Sequence, residues 1–187
     1  MRLHLPDLDG DLSLRTDAGV FSATAIDLGT RFLLDVGARP GPDVTTVADI
    51  GCGYGPIAIA TAKRAPDATV WAVDVNERAL DLTRANAEAA GVGDRVRVVT
   101  PDDVPDDLVL DALWSNPPVR VGKAVLHDLL RTWLPRLVPG GSAHLVVARN
   151  LGADSLARWL ADEGHPVTRR GSRRGYRLLD IASSLGP

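Results

Sequence analysis

A chain of 187 residues, 45% hydrophobic and 24% charged with 18 Gly and 13 Pro, has ordinary globular composition and the length of one medium domain. Its lone cysteine, Cys52, excludes an intrachain disulfide and any CxxC metal or redox motif, and the four histidines (His4, His127, His144, His165) show no ligand spacing. The net charge of −3 conceals an asymmetry: residues 1–118 carry 10 Lys and Arg against 19 Asp and Glu, whereas residues 119–187 carry 11 against 5, a basic third on an acidic protein.

Asp7, Asp9 and Asp11 stand where a signal peptide needs an apolar stretch. No run nears the ~20 apolar residues of a membrane span, so a cytoplasmic location is expected. Short strands are predicted around Leu3 and over 12–15, then a helix over about 24–36. This segment, residues 1–43, is read as an extension covering the sheet edge or cleft of a core at 44–182, the two making one domain. From Val44 onward, β-branched runs alternate with amphipathic stretches, which predicts parallel strands joined by helices on both faces. Strands are expected over 45–50, 69–74, 95–99, 110–115 and 142–148. Helices are expected over 56–64 with Pro56 in its first turn, from the Asn76 cap to Gly91, over 126–137 with a kink at Pro135, and over 154–163. Residues 167–170 and 176–181 read as a closing hairpin. In a doubly wound core, ligands sit at the carboxyl ends of the strands.

The first such end carries Asp49-Ile50-Gly51-Cys52-Gly53-Tyr54-Gly55, and Asp74 follows 19 residues beyond Gly55 at the tip of the next strand. Glycines allow close backbone approach, and a carboxylate there suits a ribose diol, so the pair reads as an adenosine site. A nicotinamide dinucleotide fold is disfavoured because Pro56 replaces the third glycine of GxGxxG. After the fourth strand comes Ser115-Asn116-Pro117-Pro118. Two prolines stiffen this turn and remove two donors, leaving the Asn116 side-chain oxygen and the Pro117 carbonyl to accept both hydrogens of a planar exocyclic amine. No Ser/His/Asp arrangement, phosphate loop or acid pair competes for catalysis. The run from Arg169 to Arg177 holds five arginines and no acid, which reads either as a solvated hairpin or as a phosphate contact. The four tryptophans read as core residues.

These motifs give the chain a resemblance to class I S-adenosylmethionine-dependent methyltransferases, specifically to the small methyltransferase domain of bacterial ribosomal RNA guanine-N2 methyltransferases. It rests on Phe21-Ser22, Ile26-Asp27-Leu28-Gly29-Thr30, Leu33-Leu34, DIGCGYGPIAIA from Asp49, VDVNERAL from Val73 and SNPPVRVGK from Ser115, and it spans about residues 20–182. The resemblance implies a Rossmann-like fold with a mainly parallel seven-stranded sheet and an antiparallel C-terminal hairpin. It implies S-adenosylmethionine as cofactor, with Asp49, Gly51, Cys52, Gly53 and Gly55 at its methionine part. Asp74, Val75 and Asn76 would hold its ribose end, and Asp102 or Asp103 its adenine. Asn116, Pro117 and Pro118 would carry catalysis, and Arg120, Lys123, Arg173 and Arg174 would contact RNA. Val119 stands where related amino-methyltransferases often place Tyr or Phe. The expected partner is ribosomal RNA or the small ribosomal subunit, with no membrane and no metal. A protein-glutamine methyltransferase and a non-catalytic RNA-binding module are the alternatives. Larger members of the resembled family carry a further domain not found in this sequence.

Overall fold

Val47, Val70, Ala72 and Val96 point to one side of a sheet while Ala48, Ile50 and Val73 point to the other, the two-residue period of strands buried on both faces. In the computed structural model, which describes residues 1–20, 22, 24–117 and 122–184, these residues form the left half of a seven-stranded sheet. Strands β3 (Thr46–Ile50), β4 (Thr69–Val73), β5 (Val96–Val99), β6 (Leu110–Ser115) and β7 (Leu137–Ala148) run parallel. They follow two short N-terminal strands, β1 (Arg2–His4) and β2 (Asp11–Ser13), which pair as a separate hairpin. The C-terminal β8 (Val167–Arg173) and β9 (Tyr176–Ala182) complete the large sheet in the order β5-β4-β3-β6-β7-β9-β8, β9 lying antiparallel to both neighbours. Chain order reverses direction across the sheet at β3, so the crevice belongs at the carboxyl ends of β3 and β6.

Helices α1 (Leu28–Val36), α2 (Pro56–Arg64) and α3 (Glu77–Ala89) cover one face. Helices α4 (Lys123–Trp133) and α5 (Ala153–Asp162) cover the other. Leu3, Leu5, Leu12 and Leu14 bury the N-terminal hairpin against the first layer. A fully buried leucine contributes on the order of 1.5–3 kcal/mol, so these side chains, more than three ladder pairs, hold it there. Asn86 of α3 ties it down by accepting from the Arg15 N–H and donating to the Arg15 and Tyr54 carbonyls.

Several boundaries differ from expectation. Helix α1 starts at Leu28, not near Thr24, because the Asp27 carboxylate accepts the Thr30 N–H and caps it there. Strand β7 starts at Leu137, not Ser142; its register against β6 jumps from Leu110↔Leu137 to Ala112↔Ser142, so Pro139-Gly140-Gly141 is absorbed as an irregularity. Strand β8 continues to Arg173 before a turn at Arg174 and Gly175, both at positive φ. The helix expected over 126–137 runs instead from Lys123 to Trp133, and Pro135 lies in the 3-10 turn Leu134–Arg136 that splits off its end. Trp114 and Trp133 are buried, and Trp71 and Trp159 pack, partly buried, against the apolar layer on the α4 and α5 face. No helix among the described residues is long and apolar enough to cross a membrane.

Candidate active site

The turn leaving β3 is held from beneath. The Gly51 and Cys52 N–H groups both donate to the Val73 carbonyl, at 2.8 and 3.0 Å, which lashes the turn to the end of β4. Gly55 sits at φ +89°, where a Cβ would stand 2.9 Å from Thr83, so side-chain-free backbone is required there. Gly53, at φ +57°, faces open space. Its N–H donates to Asp74 Oδ2 at 2.9 Å, and Asp74 Oδ1 accepts the Asn76 N–H at 2.9 Å. Asn76 caps α3 through the Arg78 N–H and donates across to the Gly19 carbonyl, joining the N-terminal segment to the rim.

Asp49 lies behind this turn. Its Oδ2 accepts the Ala58 N–H of α2, while its buried Oδ1 has no partner among the described residues. Burial pushes its carboxyl up to about 8; the Ala58 N–H opposes that rise and the nearby Asp74 charge reinforces it.

Asn116 lies at the end of β6. Its amide nitrogen donates to Asp27 Oδ2 and to Thr30 Oγ1, each at 2.9 Å. An ionised carboxylate only accepts, so the amide must turn its NH2 toward Asp27 and its oxygen away. Tyr176 of β9 reaches the other carboxylate oxygen at 3.5 Å. A Cβ on Gly29 would fall 2.7 Å from the Tyr176 ring and 2.9 Å from Asp27 Oδ2. The Asp-x-Gly-Thr segment thus supplies a cap, a close approach and a hydroxyl to one cluster. The charge of Asp27, after burial, also raises the Tyr54 hydroxyl to about 12.

The glycine turn, Asp74 and Asn116 open on one crevice of about 420 Å3, within the range of small-molecule sites. Val73, Val75, Asn76 and Pro101 line it beside Asp74; Asp27, Thr30, Pro117 and Tyr176 line it beside Asn116. Asp102 and Asp103 do not line it. They lie exposed in the 3-10 turn after β5, where Asp103 accepts from the Thr100 hydroxyl at 2.6 Å. Asp49 does not line it either. Asp27, Thr30 and Tyr176 carry no individual role in the sequence reading. A capping pattern at Asp27 was legible; nothing local marks Tyr176, which lies 149 residues away from its partner.

Residues 11–180 match the methyltransferase small domain family. The chain belongs to that family. It is 32% identical to the uncharacterized protein YbxB of Bacillus subtilis over 90% of its own length and 85% of YbxB. It is 33% identical to the ribosomal RNA large subunit methyltransferase G of Shewanella oneidensis, covering 79% of this chain but 40% of the relative. A release factor glutamine methyltransferase of Chlorobaculum tepidum shares 40% identity over 51% of this chain and 35% of its own. The small-domain methyltransferase thus spans well under half of these two curated enzymes. Its fold matches the 16S rRNA N2 methyltransferase RsmC of T. thermophilus, solved in complex with AdoMet and guanosine, with TM-score 0.83 at 20% identity over 98% of this chain and 50% of that one. The fold and family are those of S-adenosylmethionine-dependent methyltransferases.

The arginine run of this methyltransferase is acid-free only in sequence. The fold brings Asp154 to Arg169 and Arg177, Asp180 to Arg170 and Asp35 to Arg173. Arg173 and Arg174, at the hairpin tip, line a groove with Arg31, Phe32 and Asp35 of α1. Lys123 is exposed at the start of α4. Pro118 and Arg120 lie outside the described residues. Folding also builds a Ser/His/Asp row unseen in the sequence: Ser142 Oγ is 3.0 Å from His144 Nε2, and His144 Nδ1 is 2.8 Å from Asp180. Its members line neither cavity, and Arg170 also engages Asp180.

Proposed function

We propose that this protein transfers a methyl group from S-adenosylmethionine to an exocyclic amine, and that the amine is guanine N2 of ribosomal RNA. The observation that carries the reading is the anchored Asn116 amide, its oxygen turned away from Asp27, on the same crevice as the glycine turn and Asp74. The residues present suit the cofactor. Gly53 offers open backbone for close contact, and Asp74 keeps lone pairs for a ribose diol. Cys52, Gly51 and Gly55 shape the turn, and Val75, Asn76 and Pro101 wall the adenosyl end.

When bound, S-adenosylmethionine supplies a methyl group on a cationic sulfonium, which leaves as a neutral thioether. Asn116 Oδ1 and the Pro117 carbonyl each accept one hydrogen of the target amine, which fixes its plane and aims its lone pair. Positioning of this kind supplies up to about 7–11 kcal/mol of a barrier. A dedicated base is unnecessary, because the methylated nitrogen is cationic and gives a proton to solvent. Residues 44–182 serve as the catalytic core, and residues 1–43 cover part of the cleft through Ser22, Asp27 and Thr30. Arg120, Lys123, Arg173 and Arg174 contact RNA phosphates, with the ribosomal subunit as the larger partner and the cytoplasm as the place of action.

The test is incorporation of labelled methyl from S-adenosylmethionine into ribosomal subunits lacking the modification, followed by nuclease treatment and mapping of the nucleotide. Label released by nuclease supports the reading. Label retained on protein favours glutamine transfer, the reading suggested by the match to the release factor enzyme. Asn116→Ala should abolish incorporation while leaving cofactor affinity in place; unchanged turnover overturns the role of Asn116.

A further inference from the structure

Resting on the amine-transfer reading, we infer that Asp27 is the positioning residue for the acceptor amine: its carboxylate locks the polarity of the Asn116 amide, and its charge faces the nitrogen as that nitrogen turns cationic. Three observations converge. Asp27 Oδ2 accepts both the Thr30 N–H, at 3.0 Å, and the Asn116 side-chain N–H, at 2.9 Å, so one oxygen joins the start of α1 to the end of β6. Thr30 alone would not set the amide, because a hydroxyl both donates and accepts and would tolerate either orientation. Asp27 alone breaks that symmetry. Finally, no Lys or Arg forms an ion pair with Asp27 among the described residues, although Arg31, one turn along the same helix, is committed to Asp35. Its negative charge therefore lies on the crevice without a cationic partner among those residues. In the transfer, the amine lone pair forms the new N–C bond, the S–C bond breaks with its electrons going to sulfur, and positive charge moves to nitrogen. A carboxylate behind the amide favours that movement of charge.

The separating variant is Asp27→Ser. Serine caps helices as well as aspartate does, so α1 and the fold are retained. Its hydroxyl is shorter than the carboxylate and uncharged, so the amide of Asn116 loses the acceptor that fixes its orientation. Expected results are an unchanged melting temperature and S-adenosylmethionine affinity, with kcat for unmodified ribosomal RNA transcript lowered about 100-fold. Asp27→Asn keeps a capping oxygen that still accepts from Asn116 and removes only the charge, so its turnover should lie between those of the wild type and Asp27→Ser. A folded Asp27→Ser variant with wild-type kcat, or an Asp27→Asn variant no better than Asp27→Ser, overturns the assignment. The side-chain amide protons of Asn116, identified in NMR spectra by their loss in Asn116→Ala, give a readout that needs no substrate. They should exchange slowly in the wild type and quickly in Asp27→Ser, and equal exchange in both overturns the lock. Should the wild type methylate neither RNA nor protein, the functional reading fails while this exchange comparison still decides the role of Asp27.

Discussion

Asp49 combines burial, a partnerless oxygen and a proton held to about pH 8, and these have a thermodynamic consequence. An unfolded chain releases that proton near the ordinary value of 3.8, so the folded state binds it more tightly across the interval from about 4 to about 8. Stability is thus lost as pH rises through that window. Asp49→Asn removes the titration: thermal melts should show the variant more stable than wild type at pH 8 and equal to it near pH 4. Parallel pH curves for the two proteins would refute the assignment. Gly55 makes a second residue-scale case. Its αL backbone and the Thr83 contact mean that Gly55→Ala should destabilise by about 1–3 kcal/mol, read from denaturant midpoints. The glycine turn and Asp74 were legible in sequence because the chemistry that demands them is local: consecutive backbone N–H groups and a carboxylate one strand away.

At the scale of elements, the strands and helices of the core follow from a burial pattern that repeats within a few residues. The exceptions were decided by pairing. The β7 start depends on what β6 offers opposite Pro139-Gly140-Gly141, and the α1 start on a side chain that also serves Asn116. The β8–β9 hairpin shows the same dependence. Five arginines suggest a free cationic ribbon, but acids from α1, α5 and β9 offset much of that charge, leaving the tip as the exposed part. Replacing both Arg173 and Arg174 by Ala should therefore weaken RNA binding and reduce the slope of log affinity against log salt by about 1–2, measured by filter binding over a salt series. An unaltered slope would place the RNA elsewhere.

Across the whole molecule, Asn86 shows how the N-terminal segment is joined to the core. It is fully buried, and its amide meets three backbone groups at Arg15 and Tyr54. Asn86→Ala leaves those groups without partners and should lower stability by about 3 kcal/mol. That corresponds to a melting temperature lower by about 6–12 °C in calorimetry. Because this segment carries Ser22 and Asp27 to the crevice, the variant should also weaken acceptor binding. From the amino-acid order alone came the alternation of strand and helix, the glycine turn read as an adenosine site and the Asn116-Pro117 pair proposed to accept an amine, since each rests on neighbours in the chain. The three-dimensional arrangement alone decided that Asp27 and Thr30 converge on Asn116 with Tyr176 reaching Asp27, that Asp102 and Asp103 stand off the crevice, and that most of the arginine ribbon is paired. Those contacts join residues 89 and 149 positions apart, and no local rule of periodicity or propensity reaches across such a separation.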